Sequence, residues 1–298
     1  MLLVVMGHVL TGPVSTFLYR FHMPMFFMLS GIVFKPKALN GWLHSRLQSL
    51  AVPYFAWMIV AVCVAVTLQM VGLPGGGRPG VRYLLYGGAA LKGLFATFWF
   101  VTCLFASLLI YNTIRNGLGG PLNAKVVAAV AICAIVGITI SRHTLPESVN
   151  MAPIAVAFLW AGDAYKAMFK DHQPNAIALT LAAVLAVAGL LFASPLNMKY
   201  GDLGTPVLSV TSGAAISFLL FAVARAYAAT GSVPPLVHQL AAGSLVIMFA
   251  HPLVYVPLRG AMPDWVLLLV TLMVSWGLYM LIQRSGRWPR RIFAGDSN

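Results

Sequence analysis

The chain has 298 residues, of which 60% are hydrophobic and 8% charged, with a mean hydropathy of +0.88; a soluble domain carries roughly 25% charged residues, so the composition excludes one. Its 19 basic and 6 acidic residues give a net charge of +13, but the basic side chains are scattered through short loops, which excludes nucleic acid as a partner and points to the lipid bilayer. The pattern is an all-α polytopic membrane helix bundle over residues 1-284, followed by a short basic cytoplasmic tail over 285-298.

A helix needs roughly 20 residues to cross the hydrocarbon core, and ten apolar segments come near that length: 1-18, 20-34, 47-71, 95-114, 125-141, 151-168, 175-193, 206-227, 237-257 and 264-284. The first two are short and carry Pro13, Pro24 and Gly31, so kinked or broken helices are expected there. Between the third and fourth spans, Gly72 to Gly80 reads as a flexible connector, and Val81 to Gly93 as a half-buried or re-entrant piece. Phe98-Trp99-Phe100 suits a cavity wall or an interfacial belt, with the belt slightly favoured. Cys63, Cys103 and Cys133 stand alone in apolar runs and read as small core residues. No internal repeat and no cleavable signal peptide is evident.

Counting Lys and Arg on alternate sides of ten spans puts 12 on one side and 7 on the other, so both chain ends are expected in the cytoplasm. The first span then runs outward. By the rise of a helix, His251 is expected roughly 20 Å from the inner surface, and His8, His22 and His251 are expected to open onto one cavity in the middle or outer half of the membrane.

An imidazole in hydrocarbon-like sequence is costly unless it is used or satisfied. With an ordinary pKa of about 6.5 it can take a proton from an alcohol at neutral pH. Only Asp163 lies well inside a span among the acidic residues, which argues against a paired-carboxylate mechanism, and no histidines stand at metal-binding spacing. Each of the three histidines also admits a bland role, bonding a carbonyl or serine to hold helices together. His44, His143, His172 and His238 sit at span edges, where that role is preferred. Arg46 suits a bidentate grip on phosphate or a topogenic arginine reaching the headgroups, the latter favoured on charge alone. Ser30-Gly31 lacks a nucleophile elbow and suits close helix packing.

Leu3-Val-Val-Met-Gly-His8, Phe21-His-Met-Pro-Met-Phe-Phe-Met-Leu-Ser-Gly31, Arg46 with Pro53-Tyr54, Phe98-Trp-Phe-Val-Thr-Cys-Leu104, Phe158-Leu-Trp-Ala-Gly-Asp163 and Gly243 to Leu253 follow one another in an order that resembles the acyltransferase 3 family. The second of these looks most like the branch of fucose 4-O-acetylases and nodulation-factor acetyltransferases. The resemblance implies a multi-pass enzyme of the cytoplasmic membrane that moves an acyl group, usually acetyl, from acyl-CoA to a hydroxyl of a carbohydrate or glycolipid, with no permanently bound cofactor and no metal. It implies catalytic roles for His8, His22 and His251, and donor binding at Arg46. Two departures stand out. An arginine expected about ten residues before His8 is absent, as from a first helix truncated at an internal methionine, and Ser49 stands where a second arginine would follow Arg46. The alternative is a transporter or flippase for a glycolipid or small anion, with the histidines lining a permeation route.

Overall fold

The computed structural model describes residues 1–231 and 233–296, and they are all-α. The helices are α1 (Leu2–Val9), α2 (Pro13–Tyr19), α3 (His22–Ile32), α4 (Leu39–Arg46), α5 (Val52–Met70), α6 (Val81–Tyr86), α7 (Phe98–Leu118), α8 (Ala124–Ile140), α9 (Ala152–Met168), α10 (Ala176–Phe192), α11 (Pro206–Ala228), α12 (Pro235–Ala242), α13 (Ser244–Leu258) and α14 (Asp264–Arg284). Four helical stretches, Leu39–Met70, Gly93–Leu118, Pro206–Ala228 and Asp264–Arg284, are long and apolar enough to cross a membrane. A fifth qualifies if α12 and α13, bent by 76° at Gly243, count as one.

The segments expected from sequence recur as helices, but not as ten full crossings. The first apolar run breaks after Val9, where Leu10 turns extended; Gly12 then reverses the chain with a φ of +71°, and Pro13 starts a new helix in the position where its missing N–H costs nothing. A second break at Arg20–Phe21 leaves α3 with 11 residues. Cys63 differs from expectation in facing outward from α5, whereas Cys103 is buried. The aromatic triplet belongs to the interior rather than to a belt: Phe98 and Trp99 are buried, and the Phe98 ring packs against Tyr54, Phe95 and Phe249.

The chain folds as two compact units. One comprises Met1–Ser15, Asn40–Thr102 and Pro234–Asn298; the other comprises Thr16–Leu39 and Cys103–Val233. In the second, glycine sets the spacing of α3 and α9. A Cβ on Gly31 would lie 2.0 Å from the Leu159 carbonyl oxygen, and one on Gly162 would lie 1.8 Å from that of Met28. The close packing expected at Ser30-Gly31 is therefore backbone against backbone. Asp163, one residue beyond this contact, accepts from Arg115 Nε at 2.8 Å and from the Tyr111 hydroxyl at 2.9 Å, and Lys166 stands 3.3 Å away. Burial of a carboxylate is tolerated because cations and a hydroxyl surround it.

The first unit packs α1 onto α13 and α14 through Val5, Val9, Ile247, Tyr255 and Leu267. Its third-span helix contains a π-turn at Leu47–Ala51. Pro53, lacking an N–H, leaves the Ser49 carbonyl without its ordinary helical partner and favours such a widening. The segment after α14 returns to this point: a helical turn at Arg290–Ala294 brings the Phe293 carbonyl to Trp57 Nε1 at 3.0 Å.

Candidate functional site

The first unit brings His8 and His251 together. His8 lies in the last turn of α1, where carbonyls lose their helical partners. Two of them are satisfied from outside the helix, Gly7 by the Ser15 hydroxyl at 2.8 Å and His8 by the Arg259 guanidinium. The imidazole of His8 is therefore carried on a backbone pinned at two successive residues.

His251 lies in α13 between Ala250 and Pro252, fully buried. Its Nδ1 is 2.9 Å from the Ile247 carbonyl oxygen. A carbonyl only accepts, so Nδ1 carries the proton and Nε2 keeps its lone pair. That Nε2 is buried without a hydrogen-bond partner among the described residues. A buried polar atom left unsatisfied costs about 1–3 kcal/mol and calls for a reason.

The rings of His8 and His251 are 5.3 Å apart between centroids and inclined by 40°. Tyr255, one turn further along α13, stacks 5.9 Å from His251 and 6.4 Å from His8. The Arg259 guanidinium lies 5.1 Å from the Tyr255 ring while holding the His8 carbonyl. Tyr255 and Arg259 were not singled out from sequence. The available signal was spacing: 251, 255 and 259 fall at successive helical turns, on one face.

Because α12 bends away, His251 stands seven residues from the start of α13, about 10 Å along its axis by helical rise. This shortens the depth expected from an unbroken ninth span. The helix links two different environments. Near its start, a Cβ on Gly295 would meet Leu245 at 3.3 Å and the Ser49 carbonyl oxygen at 2.4 Å, so the returning tail is pressed against the π-turn that follows Arg46. Arg46 is half-buried, and Arg290 and Arg291 arrive on the tail. Near its other end, Val256 would lie 2.8 Å from a Cβ on Gly75, in the glycine-rich connector after α5. His251 lies between the two, about 9 Å from the level of Leu245 and about 7.5 Å from that of Val256 by helical rise.

His22 belongs to the second unit. It opens α3 and is buried, and its Nδ1 is 2.9 Å from the Leu18 carbonyl oxygen, bridging the break between α2 and α3. By the same reasoning Nδ1 is its protonated nitrogen. The Tyr19 ring meets it edge-on at 4.8 Å. Arg20, between them, donates to the Gly189 and Ala193 carbonyls at 2.9 and 2.8 Å, closing the carboxyl end of α10 and anchoring the turn that carries His22.

No curated protein and no solved structure matches the chain. A family profile described as "Acyltransferase domain" matches residues 1–282, which include both histidines of the α1–α13 pair. The chain therefore belongs to the acyltransferase 3 family, and is an integral membrane protein of acyltransferase type.

Proposed function

We propose that this chain is an O-acyltransferase of the cytoplasmic membrane, of the fucose 4-O-acetylase and nodulation-factor acetyltransferase branch, that moves an acetyl group from acetyl-CoA to a hydroxyl of an envelope or exported carbohydrate. The observation that carries the reading is the His8–His251 pair: a half-buried imidazole 5.3 Å from a fully buried one whose Nε2 has no hydrogen-bond partner among the described residues. Base-competent nitrogen without a structural bond is costly to maintain for packing alone.

In the proposed reaction His8, the more exposed of the two, takes the proton of the acceptor hydroxyl as its oxygen attacks the thioester carbonyl. The tetrahedral intermediate collapses with cleavage of the C–S bond, and the proton passes from His8 to the departing CoA thiolate. This base route is preferred to a transient acyl-histidine. His251 stabilises the positive charge that His8 carries in transit, its Nε2 lone pair being available to accept from the protonated ring. Arg46 binds the donor phosphates, and Arg290 and Arg291 reinforce it from the returning tail, which supplies cations beside the position where Ser49 replaces an arginine. His22 is assigned to the acceptor.

The test is acyl transfer from labelled acetyl-CoA by purified protein in nanodiscs, together with mass spectrometry of envelope glycans from cells with and without the gene. Loss of one acyl mass on removal of the gene, and loss of transfer in His8→Ala, are expected. Full transfer by His8→Ala overturns the mechanism. Movement of an unmodified substrate without acyl-CoA binding overturns the enzyme reading in favour of transport.

A further inference from the structure

We infer that the cleft beyond the carboxyl end of α5 binds an oxyanion, a carboxylate or phosphate, borne by the carbohydrate acceptor. The inference rests on the O-acyltransferase reading for the identity of the ligand as acceptor, but the cleft itself is independent of it.

The connector after α5 borders an open cleft of about 480 Å³ lined by Arg78, Tyr83, Lys92 and Gly93 with Phe95, and no acidic side chain lines it. Arg78 and Lys92 are exposed, and neither forms an ion pair among the described residues. Both cations are therefore available to a ligand rather than consumed by a carboxylate of the protein. Their backbone is fixed. Gly77 N–H donates to the Ala65 carbonyl at 3.0 Å, and the Lys92 N–H donates to the Tyr83 hydroxyl oxygen at 2.6 Å. The loop depends on glycine at Gly76, where a Cβ would lie 2.4 Å from Gln69 N. A free connector would not need so tight a fold.

Position gives the cleft its meaning. Arg46 and Met70 lie on one continuous helical stretch, Leu39–Met70, separated by about 36 Å of helical rise. The cleft thus lies at the end opposite the arginine proposed to hold donor phosphates, and a second phosphate site for the same donor is not what it supplies. From its lining, Phe95 packs 6.2 Å from Phe98, which packs 4.8 Å from Phe249, two residues before His251. Gly75, in its wall, abuts Val256 on the same helix. A saccharide anchored by a negative group at Arg78 and Lys92 can extend along α13 toward the histidine pair. Charge-assisted bonds to two cations select an acidic saccharide over a neutral one.

The experiment uses the full chain in nanodiscs of zwitterionic lipid, and measures both binding and acetyl transfer for three probes: a uronate-bearing oligosaccharide, its carboxyl-reduced neutral counterpart, and a sugar 1-phosphate. Wild type is expected to bind one or both anionic probes about tenfold more tightly than the neutral one, with an advantage that shrinks as salt rises. The probe that shows the advantage identifies carboxylate or phosphate. Arg78→Ala/Lys92→Ala is expected to abolish the preference, and Arg78→Lys to retain most of it; a thermal melt of each variant reports folding, and Arg78→Lys keeps the test interpretable if the double variant unfolds. Equal binding of all three probes overturns the inference, even where transfer to a neutral sugar proceeds and the enzyme reading stands. Binding that appears only in nanodiscs containing phosphatidylglycerol overturns it in favour of a lipid headgroup. Selective binding of an anionic saccharide without transfer of acetyl leaves the cleft assignment standing and removes the enzyme reading.

Discussion

His8 and His251 come from opposite ends of the chain, yet their rings lie 5.3 Å apart, held there by Arg259, which binds the His8 carbonyl from the end of the helix that carries His251. One residue thus couples the two helices that form the pair.

Replacement of His251 by alanine is expected to lower kcat for acetyl transfer about 10²-fold, within the range for loss of a positioned acid–base group. The His8→Ala/His251→Ala double variant is expected to be little worse than His8→Ala, because groups that act as a unit are not additive. Single-turnover rates on the four proteins check this. An additive loss would mean that the rings act on separate steps.

Arg259→Ala is expected to reduce kcat about tenfold with a smaller change in the KM for acetyl-CoA, since the guanidinium positions His8 through its carbonyl and does not enter the donor end. Arg259→Lys is expected to recover part of the rate, as lysine can still reach a carbonyl but cannot match the planar contact with Tyr255. A steady-state kcat and KM comparison separates this from loss of folding, which a melting curve reports.

The sequence made the helical segments legible because runs of apolar residues near membrane length have few other uses. It also pointed to His8 and His251, since imidazole in such runs is expensive. Pro13 marked the first span for a break, and the break is there, but the sequence did not convey that Gly243 would turn α12 away and bring His251 closer to the start of its helix. That is a consequence of packing: a Cβ on Gly243 would meet the Tyr279 ring at 2.8 Å, a contact between segments far apart in sequence. Arg259 was legible only as a basic residue in a loop, because its partner is a backbone carbonyl in α1 and a carbonyl has no sequence signature. Trp57 likewise gives no sign of the tail carbonyl it holds.

The tail contact bears on the donor. Arg46→Ala is expected to raise the KM for acetyl-CoA about tenfold, in line with loss of a charge-assisted phosphate contact. Trp57→Phe removes the bond to the Phe293 carbonyl while keeping an aromatic ring. If Arg290 and Arg291 reinforce the donor site, this change alone weakens donor binding, by a few-fold. Isothermal titration with CoA checks both; unchanged affinity in Arg46→Ala assigns that arginine to the headgroups.

Asp163→Asn tests the second unit. The carboxylate is buried, with Arg115 and Lys166 directed onto it and Tyr111 donating to it. Asparagine retains the shape but removes the negative charge, leaving the 11% exposed Arg115 side chain without its counter-ion. Removal of one partner of a buried pair costs about 3–5 kcal/mol. Lys166 is more exposed, at 37%, and also bonds the Phe34 carbonyl, so it loses less. The expected result is a large fall in the unfolding midpoint in detergent. Arg115→Met in the same chain should recover part of it, because it replaces the stranded cation by an apolar side chain. A midpoint that Asp163→Asn leaves unchanged would show that water reaches the cluster, and that the network adds little to holding α7 against α9.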